Sequence, residues 1–345
     1  MDILMVNHRD IYHPQAGGAE VVLYEVGRRL AKKANVTWLA ESVKGRGSEE
    51  IIEGIKVKRR GNKYTLHLYS LIEAKKHEIV LDSVAHAAPF FSYKVNRNAV
   101  AMVHHVHQDV LKFEVDPLQA TFLKALEKRV RDYDNIIAVS NTTKRDLSKL
   151  GVNEEKIHVI YNGVDHEKYK PSEKSEKPMI LWIGRMKKYK NPFDSLKIYK
   201  RLTKKAEMVV VGGGDLTEEF AKISKKVGVK YLGKVTEEEK VKLYQKAWVV
   251  LSTSYIEGWG MTVVEANACG TPVVAYATGS MPEIIRDGVN GFLVPYKDYD
   301  YAAKVIDEIL EEDKMKELSK RSLKESMKYN WEKTADEYMK YLSRL

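Results

Sequence analysis

Apolar and polar positions alternate along this chain in a repeating order: short runs rich in β-branched residues, then longer stretches with a helical stripe. The runs are 3–6 (ILMV), 36–40 (VTWLA), 78–82 (EIVLD), 99–103 (AVAMV), 135–140 (NIIAVS) and 157–161 (IHVIY). Between the first two lies AEVVLYEVGRRLAKKA, whose Val22, Val26 and Leu30 share one helical face. Strand–helix alternation predicts a parallel sheet covered on both sides. The alternation stops at YKPSEKSEKP (169–178), where two prolines bracket charged residues with nothing to bury, and this predicts an interdomain linker. It then restarts at 179–184, 206–214, 229–233, 247–253, 271–277 and 291–295, before a helical C-terminus. The pattern therefore predicts an α/β protein with two Rossmann-like, doubly wound parallel sheets in tandem.

Composition narrows the picture without redirecting it. A chain of 345 residues suits two domains, and 44% hydrophobic residues suffice for two cores without any run long enough to span a membrane. The start, MDILMVNHRD, reads as a buried strand rather than a secretory leader, and one cysteine, Cys269, excludes an internal disulfide framework. Both predict a cytoplasmic protein. The net charge of +10 is spread along the chain; residues 1–171 hold 27 basic and 22 acidic residues. Its densest patch, KVKRRGNK (56–63), reads either as a solvated face or as an attractor of nucleic acid, anionic lipid or phosphorylated ligands. A nucleic-acid partner is not expected.

Doubly wound sheets hold ligands beyond the carboxyl ends of their strands, so candidate chemistry is sought there. In LWIGRMKKYKN (181–191) a buried strand ends at Gly184, and Arg185 and Lys190 follow as a cation pair suited to a diphosphate, while Lys187 and Lys188 read as solvated. In YIEGWGMTVVEANACG (255–270) a loop containing Gly258, Trp259 and Gly260 leads to a helix starting near Met261 and Thr262. The two glycines permit close approach of the backbone, and the helix start offers free N–H groups to an anion. Glu265, one turn into that helix, suits ribose hydroxyls, and Glu257, before the turn, suits the group at the far end of a diphosphate; exposed loop and helix glutamates would show the same spacing. Gly17-Gly18 close a long loop after the first strand, where a phosphate or sugar could approach. VVVGGGD (209–215) reads as a flexible turn. His104, His105 and His107 follow a strand; with no cysteine nearby a metal site is not expected, and His104, then His107, are the candidates for a hydrogen bond to a sugar hydroxyl.

Taken together, GGAEVVLYEVGRRLA (17–31), AVSNTTKRDLSKLGVNEEKIHVIYNGVD (138–165), IGRMKKYKN (183–191), EGWGMTVVEANACGTPVVAYATGSMPEII (257–285) and DGVNGFLVP (287–295) resemble the retaining glycosyltransferase family four of the GT-B fold. The resemblance implies two such domains facing across a cleft: an acceptor-binding domain of residues 1–171 plus 328–345, the last helix crossing back, and a nucleotide-sugar domain of residues 172–327. It assigns Glu257 to the donor sugar, Glu265 to the ribose, Arg185 and Lys190 to the diphosphate, Gly17-Gly18 to the donor, His104 to the sugar and the Val235 backbone to the base. Ser280-Met281 departs from the family's usual small pair. The implied activity is retaining transfer of a hexose from a UDP- or GDP-sugar, without cofactor or metal, to an acceptor the sequence does not identify. A sugar phosphorylase, a sugar-phosphate synthase and a non-catalytic nucleotide-sugar binder are the alternatives. Leu111, Phe113, Leu118 and Phe122 suit either a lipid acceptor at an anionic membrane face or an ordinary helix packed on the sheet.

Overall fold

The computed structural model describes residues 1–345, which divide into two compact units, Met1–Gly163 with Trp331–Leu345, and Val164–Asn330. The first unit runs β1 (Asp2–Val6), α1 (Gly18–Leu30), β2 (Asn35–Ala40), β3 (Glu49–Ile52), β4 (Ile55–Arg59), α2 (Leu66–Ala74) and β5 (Ile79–Val84). It continues through β6 (Ala99–Val103), α3 (Leu111–Glu114), α4 (Pro117–Glu127), β7 (Asn135–Ala138), α5 (Asn141–Lys149) and β8 (Ile157–Val159). Its sheet has the order β3-β4-β2-β1-β5-β6-β7-β8, with all pairs parallel except β3 with β4. Every residue of β5 and β6 is buried, the expected signature of strands covered on both faces.

The second unit runs β9 (Met179–Ile183), α6 (Pro192–Tyr199), β10 (Glu207–Val211), α7 (Thr217–Val227), β11 (Lys230–Tyr231), α8 (Glu237–Lys246) and β12 (Val249–Ser252). Then come α9 (Met261–Ala268), β13 (Val273–Tyr276), α10 (Met281–Ile284), β14 (Gly291–Val294), α11 (Tyr299–Ile309) and α12 (Glu312–Ser326). Its six strands, all parallel, take the order β11-β10-β9-β12-β13-β14. Local chemistry sets helix starts: Asp116 caps α4 ahead of Pro117, Ser140 caps α5, and Thr236 with Glu239 forms a capping box on α8. The final helix, α13 (Trp331–Leu342), belongs to the first unit, where Glu332 pairs with Arg29 of α1 at 2.8 Å and Thr334 donates to the Tyr161 carbonyl.

Three sequence expectations change. The first sheet has two further strands, because KVKRRGNK begins inside a hairpin whose turn, Glu53-Gly54, has positive φ at both residues. Residues 169–178 are not a free linker but part of the second unit, whose chain crossings lie at 163/164 and 330/331. That segment is held by polar and aromatic contacts: Tyr169 is buried edge-on to Tyr244 and donates to Glu237, Lys174 donates to Thr271 Oγ1, and Trp248 Nε1 donates to the Ser175 carbonyl at 2.8 Å. Finally, the 212–214 turn is closely packed. Gly212 sits at φ +138°, where a Cβ would lie 1.7 Å from the Gly184 carbonyl oxygen.

Candidate functional site

In the second sheet the chain moves from β9 outward to β10 and β11, then returns to place β12 on the other side of β9. The loops after β9 and β12 thus splay apart at the sheet's switch point, where doubly wound folds hold ligands. They carry most of the candidate residues. Trp182 donates through Nε1 to Thr253 Oγ1 at 2.8 Å, and that hydroxyl reaches the Lys190 and Asn191 carbonyls at 2.9 Å. Asn191 takes the left-handed conformation at φ 47° and donates to the Thr253 carbonyl, and the Tyr255 N–H donates to the Tyr189 carbonyl at 2.7 Å. The two loops are therefore tied into one frame.

On that frame Lys190 pairs with Glu257, whose carboxylate also accepts from Ser254 Oγ at 2.8 Å. Burial works to lower the Lys190 pKa, but the Glu257 carboxylate outweighs it, and the ammonium sits above its ordinary value. Arg185 is exposed beside them and makes no ion pair. Gly279, at φ +55°, passes so close that a Cβ would lie 2.6 Å from the Glu257 nitrogen, and the Ser280 N–H donates to the Glu257 carbonyl at 3.0 Å. The departure at Ser280-Met281 thus has a structural account: Ser280 is buried, and Met281 fills space against Gly260. For Gly260 this revises the ligand-approach reading, since a Cβ there would lie 2.6 Å from Met281 Cε and 3.2 Å from Ile284 Cδ1. Gly258 and Trp259 are buried, and Trp259 packs edge-on to Tyr329.

α9 starts at Met261, with Gly260 as an N-cap that supplies no side-chain bond; the Met261 N–H donates to the Trp259 carbonyl at 3.0 Å, and Thr262 stands at a helix end that no side chain caps. Glu265 is buried one turn on, accepting from Tyr244 Oη at 3.0 Å and pairing with Lys240 at 3.3 Å. Tyr244 and Lys240 escaped the sequence reading, as did Ser254 and Thr253; a tyrosine and a lysine on an amphipathic helix carry no local sign of their partner. Val235 is half-buried in the loop after β11, just before the α8 cap. Gly184, at the end of β9, packs against the Trp182 ring and takes the close approach of Gly212.

The remaining candidates lie in the first unit, apart from those above in the chain. Gly17 is the extended N-cap of α1; its N–H donates to Glu20 at 2.6 Å, and the other Glu20 oxygen accepts from Asn7 at 2.8 Å, which closes the loop. A Cβ at Gly18 would meet nothing within 4 Å, so that glycine faces open space. His104 follows β6 and lies 3.0 Å from Ser83 Oγ; burial, with His107 nearby, pushes its pKa down to about 4. His107 is corrected from a sugar contact to a structural residue: Nδ1 lies 2.9 Å from a Glu127 carboxylate oxygen and Nε2 3.1 Å from the Ala85 carbonyl oxygen, so both ring nitrogens already face protein partners. The basic patch is largely neutralised. Arg59 is buried between Asp10 and Glu50, Arg60 pairs with Glu49, and Lys58 pairs with Glu73. Leu111 is buried against Ala87 and Ala120, whereas Leu118 and Phe122 are exposed on α4. No helix is long and apolar enough to cross a membrane.

Comparison with known proteins matches the chain to two family models in tandem, Glycosyltransferase Family 4 over residues 16–168 and Glycosyl transferases group 1 over residues 164–328. A glycosyltransferase of Methanocaldococcus jannaschii without assigned function is 29% identical over 225 residues, covering 59% of this chain and 58% of the relative. The D-inositol 3-phosphate glycosyltransferase of Mycolicibacterium smegmatis is 27% identical over 300 residues, covering 78% and 68%. That of Mycobacterium marinum is 27% identical, covering 58% and 48%. The chain thus spans about half to two thirds of these relatives. Among solved structures, sucrose-phosphate synthase from Thermosynechococcus elongatus superposes with a TM-score of 0.83 at 19% identity, covering 99% of this chain and 98% of the other. Anabaena HepE, solved with UDP-glucose, superposes at 0.81 with 20% identity, covering 99% of both chains. These two likenesses share the fold.

Proposed function

From the premise that this chain belongs to the group 1 glycosyltransferases of the GT-B fold, we propose that it transfers a hexose from a nucleotide diphosphate sugar to an acceptor hydroxyl with retention of configuration. The observation that carries the reading is the Lys190–Glu257 pair beside exposed Arg185 and the uncapped start of α9, at the switch point of the second sheet. A diphosphate there would take Arg185, Lys190 and the N–H group of Thr262, where negative charge builds as the sugar–phosphate bond breaks. Glu257 would hold the sugar hydroxyls, Glu265 the ribose, and the Val235 backbone the base. Gly258 and Trp259 would shape the donor loop, with Gly184 letting Arg185 turn toward the phosphates. In the first unit Gly17, Gly18 and His104 would face the sugar.

The step breaks the bond between the anomeric carbon and the diphosphate oxygen and forms one from the acceptor oxygen to the same carbon on the same face. The acceptor proton passes to the departing phosphate oxygen, and the products are the glycoside and a nucleoside diphosphate. In this reading no separate cofactor takes part. The enzyme works in the cytoplasm, and Leu118 and Phe122 support an acceptor reached at an anionic membrane face.

UDP, GDP, ADP and their sugars, compared by thermal shift and by product release, test the reading. One nucleotide series should stabilise the chain, by about 2.7 kcal/mol at 100 times its dissociation constant. Glu257→Ala should lower turnover by roughly 100-fold or more while changing nucleoside diphosphate affinity little. Nucleotide binding by the parent without detectable donor hydrolysis or transfer would leave a binder without catalysis.

A further inference from the structure

The first sheet has a switch point of its own, since β1 leads to β2 on one side and has β5 on the other. Three histidines gather where these two strands end. His8 follows β1, His86 follows β5, and His67 comes in from the first turn of α2. The His8 ring lies 5.3 Å from His67 and 5.4 Å from His86, and Phe90, fully buried, lies 4.9 Å from both His8 and His67. This cluster differs from an ordinary aromatic core in its unused polar atoms. Nδ1 of His8 and Nδ1 of His67 are buried without a hydrogen-bond partner, and so is Nε of the adjacent Arg9. Buried polar atoms are nearly always paired, and these three orphans, beside a fourth at the same strand end, the acceptor Asn7 Oδ1, call for a ligand.

The electrostatics specify which kind. Burial lowers the His8 pKa to about 3, and the charges of His67, Arg9 and Lys63 push it the same way; burial also lowers His67. His8 and His67 are thus neutral donors, and no carboxylate balances the neighbouring cations Arg9 and Lys63. Asp10 is taken by Arg59, Glu20 by Asn7 and the Gly17 N–H, and Asp82 by Ser92 and Tyr133. Donors and positive charge without a nearby carboxylate suit an anion, and a phosphate ester has enough acceptor oxygens for all of them.

We infer that this end of the first sheet is a phosphate-binding subsite for the acceptor, with His8 Nδ1, His67 Nδ1 and Arg9 Nε donating to the phosphate oxygens and Lys63 steering it in. The word acceptor rests on the glycosyltransferase reading; the anion site does not. The phosphate belongs to a small phosphorylated polyol or to a lipid headgroup, which share this chemistry.

Histidine side-chain NMR of the full chain tests it, with signals assigned through His8→Phe and His67→Phe. The probes are glucose 6-phosphate, inorganic phosphate, glucose, and vesicles of phosphatidic acid or of phosphatidylcholine. The expected result is that His8 and His67 signals move with a phosphate probe and not with glucose or phosphatidylcholine, and that both titrate at higher pH once it binds. A response to glucose 6-phosphate or inorganic phosphate assigns a soluble phosphate; a response to phosphatidic acid vesicles alone assigns a lipid. Lys63 is exposed, so Lys63→Glu leaves the fold intact and should weaken the phosphate probe by about tenfold. Unmoved signals with every phosphate probe, equal movement with glucose, or an unchanged affinity in Lys63→Glu overturns the proposal. Nucleotide binding and sugar transfer, followed in the same samples, stay as in the parent if only this inference fails, and transfer is absent if the glycosyltransferase reading fails.

Discussion

The carboxyl ends of the two sheets solve one problem in opposite ways. Both sheets reverse direction beside their first strand, β1 against β5 and β9 against β12, and both leave polar groups at the reversal. In the second unit those groups are ions already compensated: Lys190 by Glu257 and Lys240 by Glu265. Pairing keeps a partly buried charge tolerable and holds it at a fixed position before any ligand arrives. In the first unit the groups are imidazoles that avoid the cost of a buried charge by staying neutral, at His8, His67 and His104. Equal topology therefore supplies two crevices, while the side chains decide that one is ionic and rigid and the other neutral and unsatisfied.

The comparison breaks first at Gly212. If the second edge is a rigid frame, Gly212→Ala, at φ +138° and 1.7 Å from the Gly184 oxygen, should cost about 3 kcal/mol or more in urea unfolding. Mild acid comes next. A neutral histidine whose pKa is lowered on folding contributes stability above its unfolded value, and that contribution is lost as the pH falls through the window below it. For His104 the window runs from 6.5 to about 4, and for His8 from 6.5 to about 3. Asp82, raised by burial to about 6, acts in the other direction between about 6 and 3.8, and the histidines together outweigh it. In the second unit Glu237, held down to about 2 by Lys240 and Tyr169 despite burial, loses its contribution only as the pH falls from 4.5. Hydrogen exchange from pH 7 to pH 4 should thus rise first in β1, β5 and β6, with β9 and β12 still protected.

A smaller effect belongs to Tyr244. Tyr244→Phe leaves a buried Glu265 oxygen without its donor, for a loss of about 1–3 kcal/mol. If Glu265 holds the ribose, the same variant should discriminate less between a nucleotide and its 2′-deoxy analogue. At the small end, Gly18→Ala adds a methyl group to open space, so its stability should stay within about 0.5 kcal/mol of the parent. A large loss there would mean that the loop after β1 is packed and not open to a ligand.

Periodicity and punctuation already contained much of this molecule. The parallel α/β order, all six strands of the second sheet and the start of α9 at Met261 follow from apolar runs and from Gly and Pro positions, which act over a few residues. The neighbourhoods of Arg185, Lys190 and Glu257 were legible for a related reason: each lies in the loop that follows a buried run, and chain direction alone places that loop at a strand's carboxyl end. Other features depend on partners far along the chain. Tyr244 and Lys240 meet Glu265 more than 20 residues away, His107 is claimed by Glu127, and Lys58, Arg59 and Arg60 of the basic patch are neutralised by Asp10, Glu49, Glu50 and Glu73. Gly260 is small because Met281 needs its space, and Gly212 because the Gly184 carbonyl does. Local sequence can specify an element and its polarity, but whether a charge is spent or free, and whether a glycine serves a ligand or a neighbour, depends on which surfaces the fold presses together.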